Sequence, residues 1–144
     1  MQKNIFLAIG LCGCGFTMKG QGDNTKMRYV ANRTQDLDAK DMVKTTRDEK
    51  ITVEVTKTRI SIKPANDRSK TLTGTFTDVN CLWKDAFVAG KTIIDTRLVD
   101  DEGDDKPVTI TIEGVNGEIT ILLEAKTCPV QKLRLLVDKH EELN

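Results

Sequence analysis

From Lys50 onward, apolar and polar residues alternate with a period of two. Short runs rich in Val, Ile, Leu and Thr recur about every ten residues, and Gly, Asp and Asn clusters separate them. The runs are ITVEVT, RISIK, TLTGTFTDV, KTIIDTRLV, VTITIE, EITILLE and KLRLLV. Strict alternation places the apolar residues of each run on one face, which is typical of half-buried β-strands. The pattern therefore predicts an all-β, mainly antiparallel domain over residues 49–144. Seven or eight strands would form a meander that closes into a small barrel or sandwich.

One hairpin of this domain is specified in detail. Asn116-Gly117 is the residue pair that best tolerates positive φ at both centres of a two-residue turn. Such a turn pairs Val115 with Glu118, and counting outward then pairs Ile112 with Ile121. A four-residue loop would also match the apolar faces, whereas a three-residue loop would mismatch them throughout, because a slip of one residue flips every side chain.

The segment before this domain lacks a clear pattern. Residues 23–48 are polar apart from MRYVA, and we expect them to form a partly ordered N-terminal arm. Within the arm, TQDLDAKDMVKT predicts a turn or two of helix with Thr34 as its cap.

Residues 1–22 have the layout of an export signal. An apolar run over 5–11 follows Lys3 and is too short to span a bilayer as a helix. Leu11-Cys12-Gly13-Cys14 resembles the bacterial lipobox, and this resemblance implies lipidation of Cys14. Ordinary cleavage that leaves Asp23 first is the alternative, and the sequence leaves both open. We expect an exported protein that is periplasmic or secreted, or anchored in the outer membrane if Cys14 carries a lipid.

Two cysteines remain after the leader. In an oxidising compartment an even pair indicates a disulfide, so Cys81 and Cys128 are the predicted partners. The alternative is two separate buried thiols. A catalytic thiol is disfavoured because the single histidine, His140, falls in the polar tail DKHEELN, which we expect to be exposed.

An acidic cluster lies between two predicted strands, in VDDEGDDKP. Clustered carboxylates offer oxygen ligands for Ca²⁺, but their spacing departs from the twelve-residue calcium loop. A solvated hairpin loop is the favoured interpretation, and we predict no metal site. The weak calcium candidates are Asp100, Asp101, Glu102, Asp104 and Asp105.

Trp83 is the only tryptophan, and Phe87 follows it closely. Tryptophan is a favoured anchor in protein interfaces, so Trp83 and Phe87 are candidates for contact with a partner. The interpretation that we favour is structural, with Trp83 packing on Phe87 to plug one end of the barrel.

Charge and motifs restrict the function. Loss of Lys3 and Lys19 with the leader leaves 20 of the 22 basic side chains against 22 acidic ones, so no basic surplus exists for nucleic acid. The sequence contains neither a Gly-rich phosphate loop nor a Gly-x-Ser-x-Gly elbow, so we predict no enzyme and no cofactor. We expect a non-catalytic β domain of the bacterial cell envelope that binds a protein or glycan partner. It would touch the membrane only through an N-terminal lipid. The alternatives are a small-ligand carrier of lipocalin-like type and a secreted enzyme inhibitor.

Overall fold

The computed structural model describes residues 26–127 and 130–143, apart from the side chain of Arg68. Eight antiparallel strands follow one another around a closed barrel, and β1 pairs with β8 to complete it. The strands are β1 (Lys26–Leu37), β2 (Val43–Val55), β3 (Arg59–Pro64), β4 (Leu72–Asp85), β5 (Ala89–Val99), β6 (Asp105–Val115), β7 (Glu118–Ala125) and β8 (Gln131–Leu143). A 3-10 helix, Arg68–Lys70, lies between β3 and β4. In the described ranges no helix is long and apolar enough to cross a bilayer.

The β6–β7 hairpin confirms the predicted register. Val115 pairs with Glu118, and Ile112 pairs with Ile121. Asn116 and Gly117 form the turn with φ values of 55° and 84°. The two-residue loop is therefore the one that the chain adopts, and it brings apolar side chains together on the inner face.

The segment predicted as a polar arm differs from that expectation. Residues 26–37 form β1, which pairs with both β2 and β8 and buries Met27, Tyr29 and Ala31 inside the barrel. The predicted helical turn is wrong, because the chain reverses at Asp38 instead. One carboxylate oxygen of Asp38 accepts hydrogen bonds from the backbone N–H groups of Lys40 and Met42, at 2.8 and 3.0 Å. Two backbone donors so close together hold the reversal and lower the pKa of Asp38.

The middle of the barrel is filled by branched aliphatic side chains. Each has an exposed fraction of 1% or less: Ile60, Ile94, Ile110, Ile121 and Leu135. They come from five different strands and belong to one apolar cluster, which joins the strands across the barrel axis. Because this interior is closely packed, the surroundings of the inward side chains differ mainly at the two ends of the barrel.

The two ends carry different connections. The β1–β2, β3–β4, β5–β6 and β7–β8 connections lie at one end, which we call the open end. The β2–β3, β4–β5 and β6–β7 connections lie at the other, which we call the closed end.

Candidate functional site

A cavity of about 690 Å³ opens at the open end. We call it the cup. This volume falls within the range of roughly 300–1,000 Å³ that small-molecule sites occupy. The cup is bounded on its inner side by the packed middle of the barrel.

The floor of the cup is apolar. Six strands contribute to it, and most of its side chains are Leu. The floor comprises Leu37, Leu72, Leu98, Val108, Leu123, Ala125 and Leu133. Leu37 and Leu98 are also part of the buried interior, so the floor is rigidly supported from below.

One side of the rim is a closed polar network around Asp36. Arg47 contacts the Asp36 carboxylate with Nε at 3.2 Å, and the Thr45 hydroxyl donates to the same oxygen at 2.7 Å. Arg47 also pairs with Glu49 at 2.9 Å. The single guanidinium of Arg47 is therefore shared by two carboxylates, and it has no charge left over for a ligand.

Lys132 joins β8 to the β1–β2 turn at the rim. Its ammonium lies 2.8 Å from Asp41 Oδ1 and 3.3 Å from the carbonyl oxygen of Ala39. The hydrogen bond to Asp41 raises the pKa of Lys132 above its ordinary value. This contact fixes the turn that borders the cup.

Two further lysines line the rim, Lys44 and Lys106. Among the described residues, neither ammonium makes a salt bridge, although Lys44 lies close enough to Asp38 to lower the pKa of that carboxyl group. Three apolar residues in connections or strand ends beside the mouth are also exposed to solvent: Met42, Val43 and Val130. The mouth of the cup thus combines exposed apolar side chains with two lysines that make no salt bridge to a described residue.

The acidic cluster borders the cup and shapes the β5–β6 connection. Asp100 Oδ1 accepts hydrogen bonds from the backbone N–H groups of Glu102 and Asp104, at 2.9 and 3.0 Å. Asp105 forms a salt bridge with Arg97 at 2.9 Å, which lowers the pKa of the carboxyl group. Across the part of the chain that the structure describes, no three His, Cys, Asp or Glu side chains group closely enough to hold a metal ion.

The closed end is covered by aromatic rings. Trp83 on β4 and Phe87 in the β4–β5 turn lie with ring centroids 5.9 Å apart. Phe87 in turn stacks on His140 of β8 at 5.0 Å, and His140 approaches Tyr29 at 6.3 Å. Residues 131–143 form a strand paired with β1, and within it Asp138, Lys139 and His140 are exposed, as predicted for this polar segment.

The Trp83 ring is fixed by polar and steric contacts. Its Nε1–H donates to the Thr92 hydroxyl at 2.6 Å, and the ring lies so close to Gly114 that an added Cβ would come within 2.9 Å of it. Trp83 also packs against the buried core. This is the geometry of the predicted plug, and contact of Trp83 and Phe87 with a partner stays a prediction.

The predicted thiol sites lie only partly within the described residues. Cys81 lies within β4, where it pairs with Thr92, and its Sγ is 3.9 Å from the Thr92 hydroxyl. Cys128 and Cys14 lie outside the described residues. The disulfide and the lipidation therefore stay predictions.

The cup itself was not identified from the sequence. Its floor residues are the outermost inward positions of their strands, and the alternation pattern marks them as core without marking which ones end the core. The sequence signal that could have indicated the cup is the cluster of lysines and aspartates in the connections that meet at one end.

We compared the chain with known protein families, with curated protein sequences and with solved structures, and found no match in any of the three.

Proposed function

We propose that the protein binds a small, largely apolar ligand in the cup. The observation that carries this proposal is a cavity of about 690 Å³ with an apolar floor and a polar rim at one end of a closed barrel. Small-molecule sites combine apolar walls with a few polar groups that orient the ligand, and barrel mouths are common places for them.

The inward Ile, Leu and Val residues are compatible with this role. They fill the middle of the barrel and leave the cup at one end, so the cup has one entrance and a solid base. We further propose that the protein does this work after export, as its N-terminal sequence predicts, in the cell envelope or outside the cell.

A second proposal is the binding of a protein or glycan partner at the closed end. It is favoured by three apolar side chains that are exposed near the aromatic plug, Leu82, Val88 and Val115. Their exposed fractions are 50%, 41% and 57%. We rank it second because exposed apolar side chains alone do not select a partner, whereas the cup combines an enclosed shape with polar groups at its mouth.

The ligand proposal is tested with a neutral fluorescent probe, N-phenylnaphthylamine, whose emission rises in apolar sites. We expect saturable binding to the full mature protein. Ala125→Phe should abolish most of this binding, because its new ring would occupy the cup. The matched control is Val115→Phe, which adds a ring to an exposed position at the closed end.

Thermal unfolding by circular dichroism verifies that both variants fold. Absence of saturable binding to the wild-type protein would contradict the proposal. Equal binding to the two variants would place the probe outside the cup and would contradict it as well.

A further inference from the structure

We propose that the ligand of the cup is a single-chain amphiphile with an anionic headgroup, whose apolar chain lies on the floor and whose head is held by Lys44 and Lys106. This inference rests on the proposed function and names the chemical class of its ligand. It follows from the way in which the charged side chains of the rim are paired.

The acidic side chains of the rim are mostly occupied within the protein. Asp36 is held by Arg47 and Thr45. One carboxylate oxygen of Asp100 accepts two backbone hydrogen bonds in its own loop. Asp104 is the remaining acid of the rim, and within residues 26–127 and 130–143 its carboxylate makes no hydrogen bond or salt bridge.

The basic side chains divide into two pairs. Arg47 and Lys132 are committed to Asp36, Glu49 and Asp41. Lys44 and Lys106 are exposed and make no salt bridge to any described residue. The residues that line the cup comprise four basic and three acidic side chains, so the lining carries a net charge of +1 at the mouth of an otherwise apolar cavity.

The lysines come from different parts of the barrel wall, one near the start of β2 and one near the start of β6. Both line the same cavity, so a headgroup at the mouth can be approached from both sides. Long lysine side chains can cover apolar surface with their methylene groups while their ammonium groups reach toward an anion.

Apolar side chains continue from the floor to the mouth. Val130 lines the cup and is 44% exposed, and Met42 and Val43 are exposed in and after the neighbouring turn. An alkyl chain that leaves the floor would therefore meet apolar surface up to the level of the lysines. A purely polar ligand would gain nothing from this surface.

The test compares ligands that share one alkyl chain and differ in headgroup. The test measures displacement of N-phenylnaphthylamine at low ionic strength by four compounds, each below its micelle concentration: dodecanoate, dodecyl phosphate, dodecanol and dodecyltrimethylammonium. We expect both anions to bind about tenfold more tightly than the alcohol, since two weakly screened ion pairs together contribute on that scale. The cation should bind most weakly.

Two variants assign the preference to the lysines. In Lys44→Gln/Lys106→Gln we expect the anions to lose about tenfold in affinity and the alcohol to be unchanged. Lys84→Gln/Lys91→Gln removes the same charge at the closed end and is the matched control. Asp104→Asn should tighten binding of the anions by a few-fold, about the effect of one exposed charge.

The outcomes separate the two proposals. If the neutral probe and dodecanol bind but the anions bind no better, the headgroup assignment is overturned and the proposed function stands. The headgroup assignment is likewise overturned if both double variants behave alike. If neither the probe nor any of the amphiphiles binds, the proposed function itself has failed.

Discussion

The two ends of this barrel are formed by the same strands but carry different inward side chains. At the closed end, the rings of Trp83, Phe87 and His140 contact one another and cover the core. At the open end, the outermost inward residues are mostly leucines, and they form the floor of the cup. Aromatic side chains are wide enough to span a barrel end, whereas Leu and Ala are not.

Under the function that we propose, stability and binding are divided between the two ends of the barrel. Packing at the closed end and in the middle of the barrel holds the fold, so the open end is left free to carry apolar surface and unpaired charge. Truncations at the two ends should therefore affect different properties of the protein.

Trp83→Ala should have the largest effect on stability. It removes the ring that packs on Phe87, the contact with Gly114 and the hydrogen bond to Thr92. We expect a loss of about 3 kcal/mol in the free energy of unfolding, the low end for removal of a large aromatic side chain, because Trp83 is only partly buried. Urea-induced unfolding followed by circular dichroism measures it.

Leu133→Ala is the comparison variant at the open end. Leu133 already borders the cup, so its removal enlarges an existing space, and we expect a loss of about 1 kcal/mol. It should weaken binding of the neutral probe, which Trp83→Ala should leave intact in the folded protein. Equal losses of stability in the two variants would contradict the division between the ends.

The hairpin at Asn116-Gly117 was predictable because its information is local. The pair Asn116-Gly117 accepts positive φ and marks the turn, and the alternating runs on both sides allow only a few pairing registers. Of these, the correct register must bring apolar residues opposite apolar residues. Strands β2 to β8 followed in the same way from the seven runs after Lys50, whereas β1 lies before these runs.

Strand β1 and the barrel closure were less accessible from the sequence. Four of the five buried side chains of β1 are apolar, Met27, Tyr29, Ala31 and Leu37. The fifth, Thr34, is polar, and the spacing of the buried positions changes from two to three residues after Ala31, so the alternation is broken. The first part of β2, from Lys44 to Lys50, is polar on both faces, so alternation gives no signal there. The cup is formed by the inward residues that lie outermost at the open end once the barrel is closed. Closure depends on the pairing of β1 with β8, the two strands that are farthest apart in the sequence, so the sequence pattern does not reveal it.

Substitution of Thr34 tests whether the packed interior begins at this residue or deeper in the barrel. Its hydroxyl is fully buried and makes no hydrogen bond to any described residue, and in the register it lies opposite Arg47, which lines the cup. Thr34→Val keeps the shape and removes the unsatisfied polar atom, so we expect a gain of about 1 kcal/mol in the free energy of unfolding.

Thr96→Val is the matched control for Thr34→Val. Thr96 is also buried, but its hydroxyl donates to the carbonyl oxygen of Thr75 at 2.7 Å, and its replacement should cost about 1 kcal/mol. If both variants lose free energy of unfolding, solvent from the cup reaches the Thr34 hydroxyl. The boundary between the cup and the packed interior would then lie one layer deeper than we infer.

The smallest expected effect is a dependence of stability on pH at the closed end. Partial burial beside the rings of Phe87 and Tyr29 lowers the pKa of His140 below its ordinary value of about 6.5. The unfolded chain therefore binds the proton more readily than the folded barrel does. The contribution of neutral His140 to the free energy of unfolding is complete above about pH 6.5, and it declines as the pH falls through that value toward the lower pKa of the folded state.

The variant His140→Gln has no titrating group at this position, so its unfolding midpoint in urea should fall less than that of the wild type between about pH 7 and pH 5. Parallel midpoints for the two proteins over this interval would show that protonation of His140 does not loosen the aromatic cover. Binding of the neutral probe in the cup should be indifferent to His140→Gln throughout the interval, because the packed middle of the barrel separates His140 from the floor.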